Sequence, residues 1–281
     1  MTRFFIHLGW LFIAAAFTNP FSAWAGSVDK TTDAGKVRVH FPDQAQSQCT
    51  AFLLGVGTAM SASGYDKLSS RISQYGHVVV VMDHAPGALM KTDEHKFRRL
   101  AEDVKAQLTQ WLPNDRCQII DKWIMGGHSA GGQAAQNAVA HNAGLADGIF
   151  SIDPYNANDT DDVHVPALYW GFSKTTCFVA INDAAKGTYQ RSRDRRAFYR
   201  VNTKYSWGPC GYSPKYFHCS FCDGHCPVCT NCQTTPDHFF DDVAASVNQF
   251  AQHGFTSTWS KAAMTINSTT PYTLFVDNDQ P

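Results

Sequence analysis

Apolar residues arrive along this chain in two rhythms, and each rhythm predicts a different element. Phe52 to Val56 and His77 to Met82 are short, nearly unbroken apolar runs, the signature of strands covered on both faces. Val37 to Phe41 alternates apolar and polar positions and predicts an edge strand. Asp121 to Met125, Gly148 to Ile152 and Pro166 to Trp170 add three more short strands. Leu68 and Ile72, at helical spacing, predict a helix within Tyr65 to Tyr75. A longer helix carries Phe97, Leu100, Val104, Leu108 and Trp111 on one stripe. Asp93 and Glu94 stand near its start, where the helix dipole favours negative charge, and Pro113 stops it. Gly132 to Ala140 is a helix of small residues, and a last helix from about Phe239 lines up Val243, Val247 and Phe250. Beyond Phe255 no clear pattern emerges. Strands alternating with helices predict an α/β fold with a mainly parallel central sheet flanked by helices. With no internal repeat or low-complexity linker, residues 26–281 read as a single domain.

Residues 1–25 fall outside this pattern. Arg3, the apolar stretch from Leu8 to Phe17 and the small-x-small site Ala23-Trp24-Ala25 read as a secretory signal peptide, so the mature chain is expected to be secreted or periplasmic. The competing reading is an uncleaved anchor, but the stretch falls short of the roughly 20 apolar residues a membrane span needs. No later segment approaches that length, so no transmembrane anchor is expected after cleavage. Charge is nearly balanced, 23 basic residues against 24 acidic, which argues against a nucleic-acid partner. The basic run Arg191, Arg193, Arg195 and Arg196 is broken by Asp194 and reads as a solvated helix face.

Chemistry enters at Gly127-His128-Ser129-Ala130-Gly131. This G-x-S-x-G lies where a predicted strand passes into a predicted helix, the context of a nucleophile elbow that lifts one serine hydroxyl above a sheet. A serine hydroxyl needs a histidine to take its proton and a carboxylate to orient that histidine. On such a scaffold the chain order is serine, acid, histidine. Asp153 ends the strand Gly148 to Ile152 and is the expected acid; Asp183 is the alternative. His238, in Pro236-Asp237-His238, is expected in a loop just before the last helix and is the leading histidine. His164 precedes a strand, His253 closes a helix, and His218 and His225 fall within a cysteine cluster. Two backbone donors are needed for an oxyanion. Ala130 is expected to supply one and the turn Val56 to Ala59 the other, with Gly57 ahead of Thr58.

With these residues in place the chain resembles the chlorophyllase branch of the α/β-hydrolases and, more distantly, dienelactone hydrolases and cutinase-like polyester hydrolases. The matching pieces are Phe52 to Ala59, Tyr75 to Val80, Gly127 to Gly132, Ile152-Asp153-Pro154, and His238 followed by Asp241-Asp242. The resemblance implies the α/β-hydrolase fold, an acid in an Asp-Pro context soon after the serine, and a histidine shortly before Asp-Asp. It thereby favours Asp153 over Asp183. Two departures are the small Ala130 after the serine and the cysteine-dense stretch Cys210 to Cys232.

All nine cysteines lie beyond the leader, and an odd count leaves at least one outside an internal disulfide. Cys219, Cys222, Cys226 and Cys229 have the paired C-x-x-C spacing of a zinc site, whereas an exported chain favours disulfides; zinc is the less favoured reading and no cofactor is required. The excursion from about 204 to 235 precedes His238 and is expected to brace the histidine loop or shape the substrate rim. The expected function is an exported serine hydrolase of carboxylic esters acting on a small-molecule, lipid or polymeric ester. The alternatives are a serine peptidase or amidase, and a non-catalytic binding protein on a hydrolase scaffold.

Overall fold

Nine strands form one mixed, mostly parallel sheet. The computed structural model describes residues 26–83, 93–113, 115–155, 160–174, 183–203, 205–208, 211–214, 216–223, 235–279 and 281. The expected leader, residues 1–25, lies outside them. In chain order the elements are β1 (Gly26–Thr31), β2 (Lys36–Phe41), β3 (Gln48–Gly55), α1 (Asp66–Ser73), β4 (Val78–Asp83), α2 (Glu94–Trp111), β5 (Ile119–His128), α3 (Ala130–His141), β6 (Gly148–Ile152), β7 (Ala167–Phe172), α4 (Ala184–Arg191), β8 (Arg196–Val201), the hairpin β9 (Tyr205–Gly208) and β10 (Gly211–Pro214), α5 (Asp237–His253), α6 (Lys261–Met264) and β11 (Tyr272–Val276). The sheet runs β1-β2-β4-β3-β5-β6-β7-β8-β11. The six strands from β4 to β8 are parallel, and antiparallel β2, β1 and β11 close the two ends.

The continuous apolar runs are explained by burial on both faces. Within β3, Phe52 and Leu54 join one core with Leu68 and Ile72 of α1 and Val243, Val247 and Phe250 of α5. The alternate residues Ala51 and Leu53 join a second core with Phe97, Leu100 and Val104 of α2 and Ala134, Ala135 and Ala138 of α3. Side chains two apart share a face, so one strand feeds both layers and its stretch from Ala51 to Leu54 is apolar throughout. At the start of α2, the Asp93 side chain accepts the Lys96 N–H at 2.9 Å, a side-chain N-cap.

Several expectations need correction. The alternating strand Val37 to Phe41 is not the edge, because β1 pairs along its whole length. The stretch after Phe255 contains β11, which pairs antiparallel with β8 and puts Trp259 Nε1 3.0 Å from Asp277 Oδ1. The basic run is not a helix face. α4 ends at Arg191, and the Arg196 guanidinium donates to the carbonyls of Tyr189 (3.1 Å), Ser192 (2.5 Å) and Asp277 (2.8 Å). A cation there satisfies the orphan carbonyls of a helix end.

A disulfide joins Cys49, in β3, to Cys117, just before the neighbouring β5. Among the described residues no helix is long and apolar enough to cross a membrane. The carboxyl ends of β5, β6 and β7 open to the same edge of the sheet, where ligands bind in open α/β sheets.

Candidate active site

Ser129 stands alone between the last residue of β5 and the first of α3, at φ 55° and ψ −123°. That conformation is strained for any residue with a β-carbon, at a cost of order 1–3 kcal/mol. It is held from three sides. The Ser129 N–H donates to Ile152 O at 3.0 Å, and its carbonyl accepts the N–H groups of Gln133 (3.2 Å) and Tyr155 (3.1 Å). The glycines of the motif answer to sterics: a β-carbon on Gly131 would run into the Gly55 carbonyl, and one on Gly132 would lie 2.5 Å from Ser151 Oγ. The motif thus has the local geometry expected of an elbow.

β5 and β6 pair in parallel with His128 opposite Ile152. Ser129 and Asp153 therefore leave neighbouring strands side by side. Asp153 is 2 % exposed, has a positive φ of 41°, and is pinned by its N–H to Trp170 O at 2.7 Å. One carboxylate oxygen faces the Phe172 N–H at 3.4 Å; the other lies 2.6 Å from Nδ1 of His218.

The histidine brought to Asp153 is thus His218 and not the expected His238. His238 sits inside the first turn of α5, which begins at Asp237, and its Nε2 lies 2.9 Å from the Tyr216 hydroxyl. The downstream acidic pair that carried the resemblance is engaged elsewhere: Asp241 pairs with Arg71 at 2.9 Å, and Asp242 accepts from Ser268 at 2.6 Å. His218 instead opens a short 3-10 turn, His218–Phe221, inside the cysteine-rich excursion, and is 1 % exposed. A carboxylate only accepts, so His218 Nδ1 carries the proton and Nε2 is left as the basic nitrogen. The available sequence signal was Phe217-His218 followed by Phe221, a histidine flanked by apolar anchors. Phe221 packs on Phe172 and Phe239, with ring centroids 5.3 and 5.1 Å away.

Asp183, the alternative acid, is accounted for otherwise. It precedes α4, and both its oxygens bind Arg200, at 2.9 and 2.5 Å. Of the two expected oxyanion donors, Ala130 is the first residue of α3 and buried, and a helix leaves its first N–H groups without intrahelical acceptors. Gly57 is in the right place with the wrong partner. A β-carbon there would lie 3.3 Å from Ser129 Cβ, yet the Gly57 N–H already donates to the Tyr65 hydroxyl at 2.9 Å. Thr58 is the next donor along the turn.

Behind the serine, His128 is buried. Its Nδ1 lies 2.9 Å from the Tyr65 hydroxyl and its Nε2 2.8 Å from the His218 carbonyl. Burial, reinforced by the neighbouring His218, holds its pKa well below the ordinary histidine value. Asp223, at the end of the described excursion, donates its N–H to Gly64 O and accepts the Lys67 N–H in the first turn of α1, both at 2.7 Å. Desolvation pushes its carboxyl up to about 6.

Of the zinc-type cysteines, Cys219 is in a disulfide and offers no thiolate, and Cys222 Sγ lies 3.7 Å from His128 Nδ1. Cys226 and Cys229 lie outside the described residues. Among the described residues no three His, Cys, Asp or Glu side chains are grouped to hold a metal ion. No known family model matches the chain, and no curated protein is detectably similar to it.

Proposed function

We propose that this chain is an exported carboxylic-ester hydrolase acting through Ser129, His218 and Asp153. The observation that carries the reading is the buried Asp153–His218 pair at 2.6 Å, with Asp153 following the strand that pairs beside the one leading into Ser129. A strained serine, an imidazole with one nitrogen fixed by a carboxylate, and a buried helix N-terminus make up the parts of a nucleophilic acyl-transfer site.

In this scheme Ser129 Oγ attacks the ester carbonyl while His218 Nε2 takes its proton. Asp153 stabilises the imidazolium through Nδ1. The Ala130 N–H and, in place of the engaged Gly57 amide, the Thr58 N–H receive the oxyanion; losing one such donor typically costs about 10²–10³ in rate. His218 then protonates the leaving alcohol. Water repeats the sequence on the acyl-enzyme, and no cofactor takes part. The resemblance to chlorophyllase-like and polyester-hydrolase groups supports ester rather than peptide substrates, with the histidine drawn from a different stretch of chain.

A fluorophosphonate probe and p-nitrophenyl esters of increasing acyl length test the proposal. Wild type is expected to label and turn over, and Ser129→Ala to do neither. Labelling that survives in Ser129→Ala would refute the assignment. Absence of both in wild type would favour the alternative of a binding protein on a hydrolase scaffold, and preference for anilides over esters would favour an amidase.

A further inference from the structure

Resting on that reading, we infer that His128 is a positioning residue, which with the Tyr65 hydroxyl ties the turn beside Ser129 to the backbone of His218. Four groups from three separate stretches of chain form one directed line of hydrogen bonds. A carbonyl only accepts, so the contact to His218 O means that His128 Nε2 bears the proton. Nδ1 of the neutral ring is then a bare acceptor, and the Tyr65 hydroxyl donates to it. The tyrosine oxygen in turn accepts the Gly57 N–H. Each donor in the line meets an acceptor, in a place where an unpaired polar group is expensive, and Cys222 Sγ also lies 3.7 Å from Nδ1.

The line matters because His218 lies in a four-residue 3-10 turn and in neither the central sheet nor an α-helix. That turn is preceded by the short two-stranded hairpin of β9 and β10. The bond from His128 fixes the peptide of His218, and the two rings lie 4.5 Å apart, so the orientation of the imidazole toward Asp153 is set from the elbow itself. The residue that precedes the serine therefore aligns the base that activates it. The same line holds Gly57 against Ser129. Tyr65 is 2 % exposed and His128 likewise, so neither is reached by substrate; both act through their neighbours.

Two substitutions separate the bonds. His128→Gln extends an amide N–H to the position of Nε2 and keeps the bond to His218, whereas His128→Asn offers an acceptor near Nδ1 and loses that bond. With p-nitrophenyl butyrate, His128→Asn is expected to lower kcat ~10–100-fold at nearly unchanged KM, and His128→Gln to stay within ~5-fold of wild type. Tyr65→Phe, which keeps the ring and the fold, is expected to lower kcat ~10-fold, again with little change in KM. A readout independent of turnover is the downfield proton resonance of the short His218 Nδ1–H···Asp153 bond. It should persist in His128→Gln and shift or broaden in His128→Asn. If the resonance follows this order in a protein without esterase activity, the alignment stands and the esterase reading falls. Equal losses in the two His128 variants, or an unchanged resonance and wild-type kcat in both His128→Asn and Tyr65→Phe, would overturn the inference.

Discussion

His218 Nδ1 and Asp153 Oδ2 meet at 2.6 Å across 65 residues of chain, each almost fully buried. A carboxylate so placed is tolerable only with a partner, since taking a charge out of water costs several kcal/mol. The pair therefore holds the cysteine-rich excursion to the sheet.

Exchanging the two histidines distinguishes their roles. His218→Ala is expected to lower kcat/KM about 10³–10⁵-fold on p-nitrophenyl esters, as for loss of a general base with its orienting partner. His238→Ala, which removes only the contact to Tyr216, should change it less than about tenfold. Steady-state kinetics on both variants, with circular dichroism to check folding, decide the matter; the reverse order would restore His238.

The two acids differ in kind. Asp153→Asn is expected to cost about 10⁴ in kcat by disturbing the His218 tautomer. Asp183→Asn breaks the bidentate contact to Arg200 and should lower stability by roughly 1–2 kcal/mol, with kcat nearly unchanged. Denaturant melts run beside the kinetics separate the two effects.

Acid should destabilise the fold from about pH 6.5 downward. Burial lowers His40 and His77 to about 4 and His128 further, so all three stay neutral in the folded chain while the unfolded chain protonates them. Between about pH 6 and 4 the unfolded state thus holds up to about three more protons from these groups. Asp223 works against this, because its folded pKa of about 6 lets the native state bind a proton first. A net uptake of about two protons corresponds to a loss of roughly 2–3 kcal/mol per pH unit near pH 5. Urea midpoints measured from pH 8 to pH 4 give the slope; a flat profile would contradict the buried neutral histidines.

Removing the Cys49–Cys117 link should also be felt. The two half-cystines close a loop with a sequence separation of 68, for which chain entropy predicts about 4 kcal/mol of stabilisation. The double variant Cys49→Ala/Cys117→Ala is expected to unfold at lower denaturant while keeping its activity in dilute buffer, since the bridge lies at the amino ends of β3 and β5 and Ser129 at the carboxyl end.

What the sequence by itself determined is local or periodic. The apolar runs of β3 and β4, the stripe of α2 and the G-x-S-x-G turn depend on neighbours a few positions away, and the position of Asp153 at the end of the next strand follows from the same alternation. Ester chemistry stays a proposal, but the strained turn at Ser129 and the position of Asp153 beside it were legible from pattern alone. The histidine was not. His218 and His238 are both polar residues in aromatic surroundings near the end of the chain, and no periodicity separates them. Only the folded path of the excursion, pinned by Phe221, Asp223 and the His128 contact, brings one of them to Asp153 and leaves the other on Tyr216. The amide of Gly57 teaches the same lesson: its place beside the serine was readable, but the tyrosine that occupies it lies across a turn whose geometry packing alone decides. Short-range sterics write themselves into residue order, whereas a long-range hydrogen bond depends on where two distant backbones come to rest.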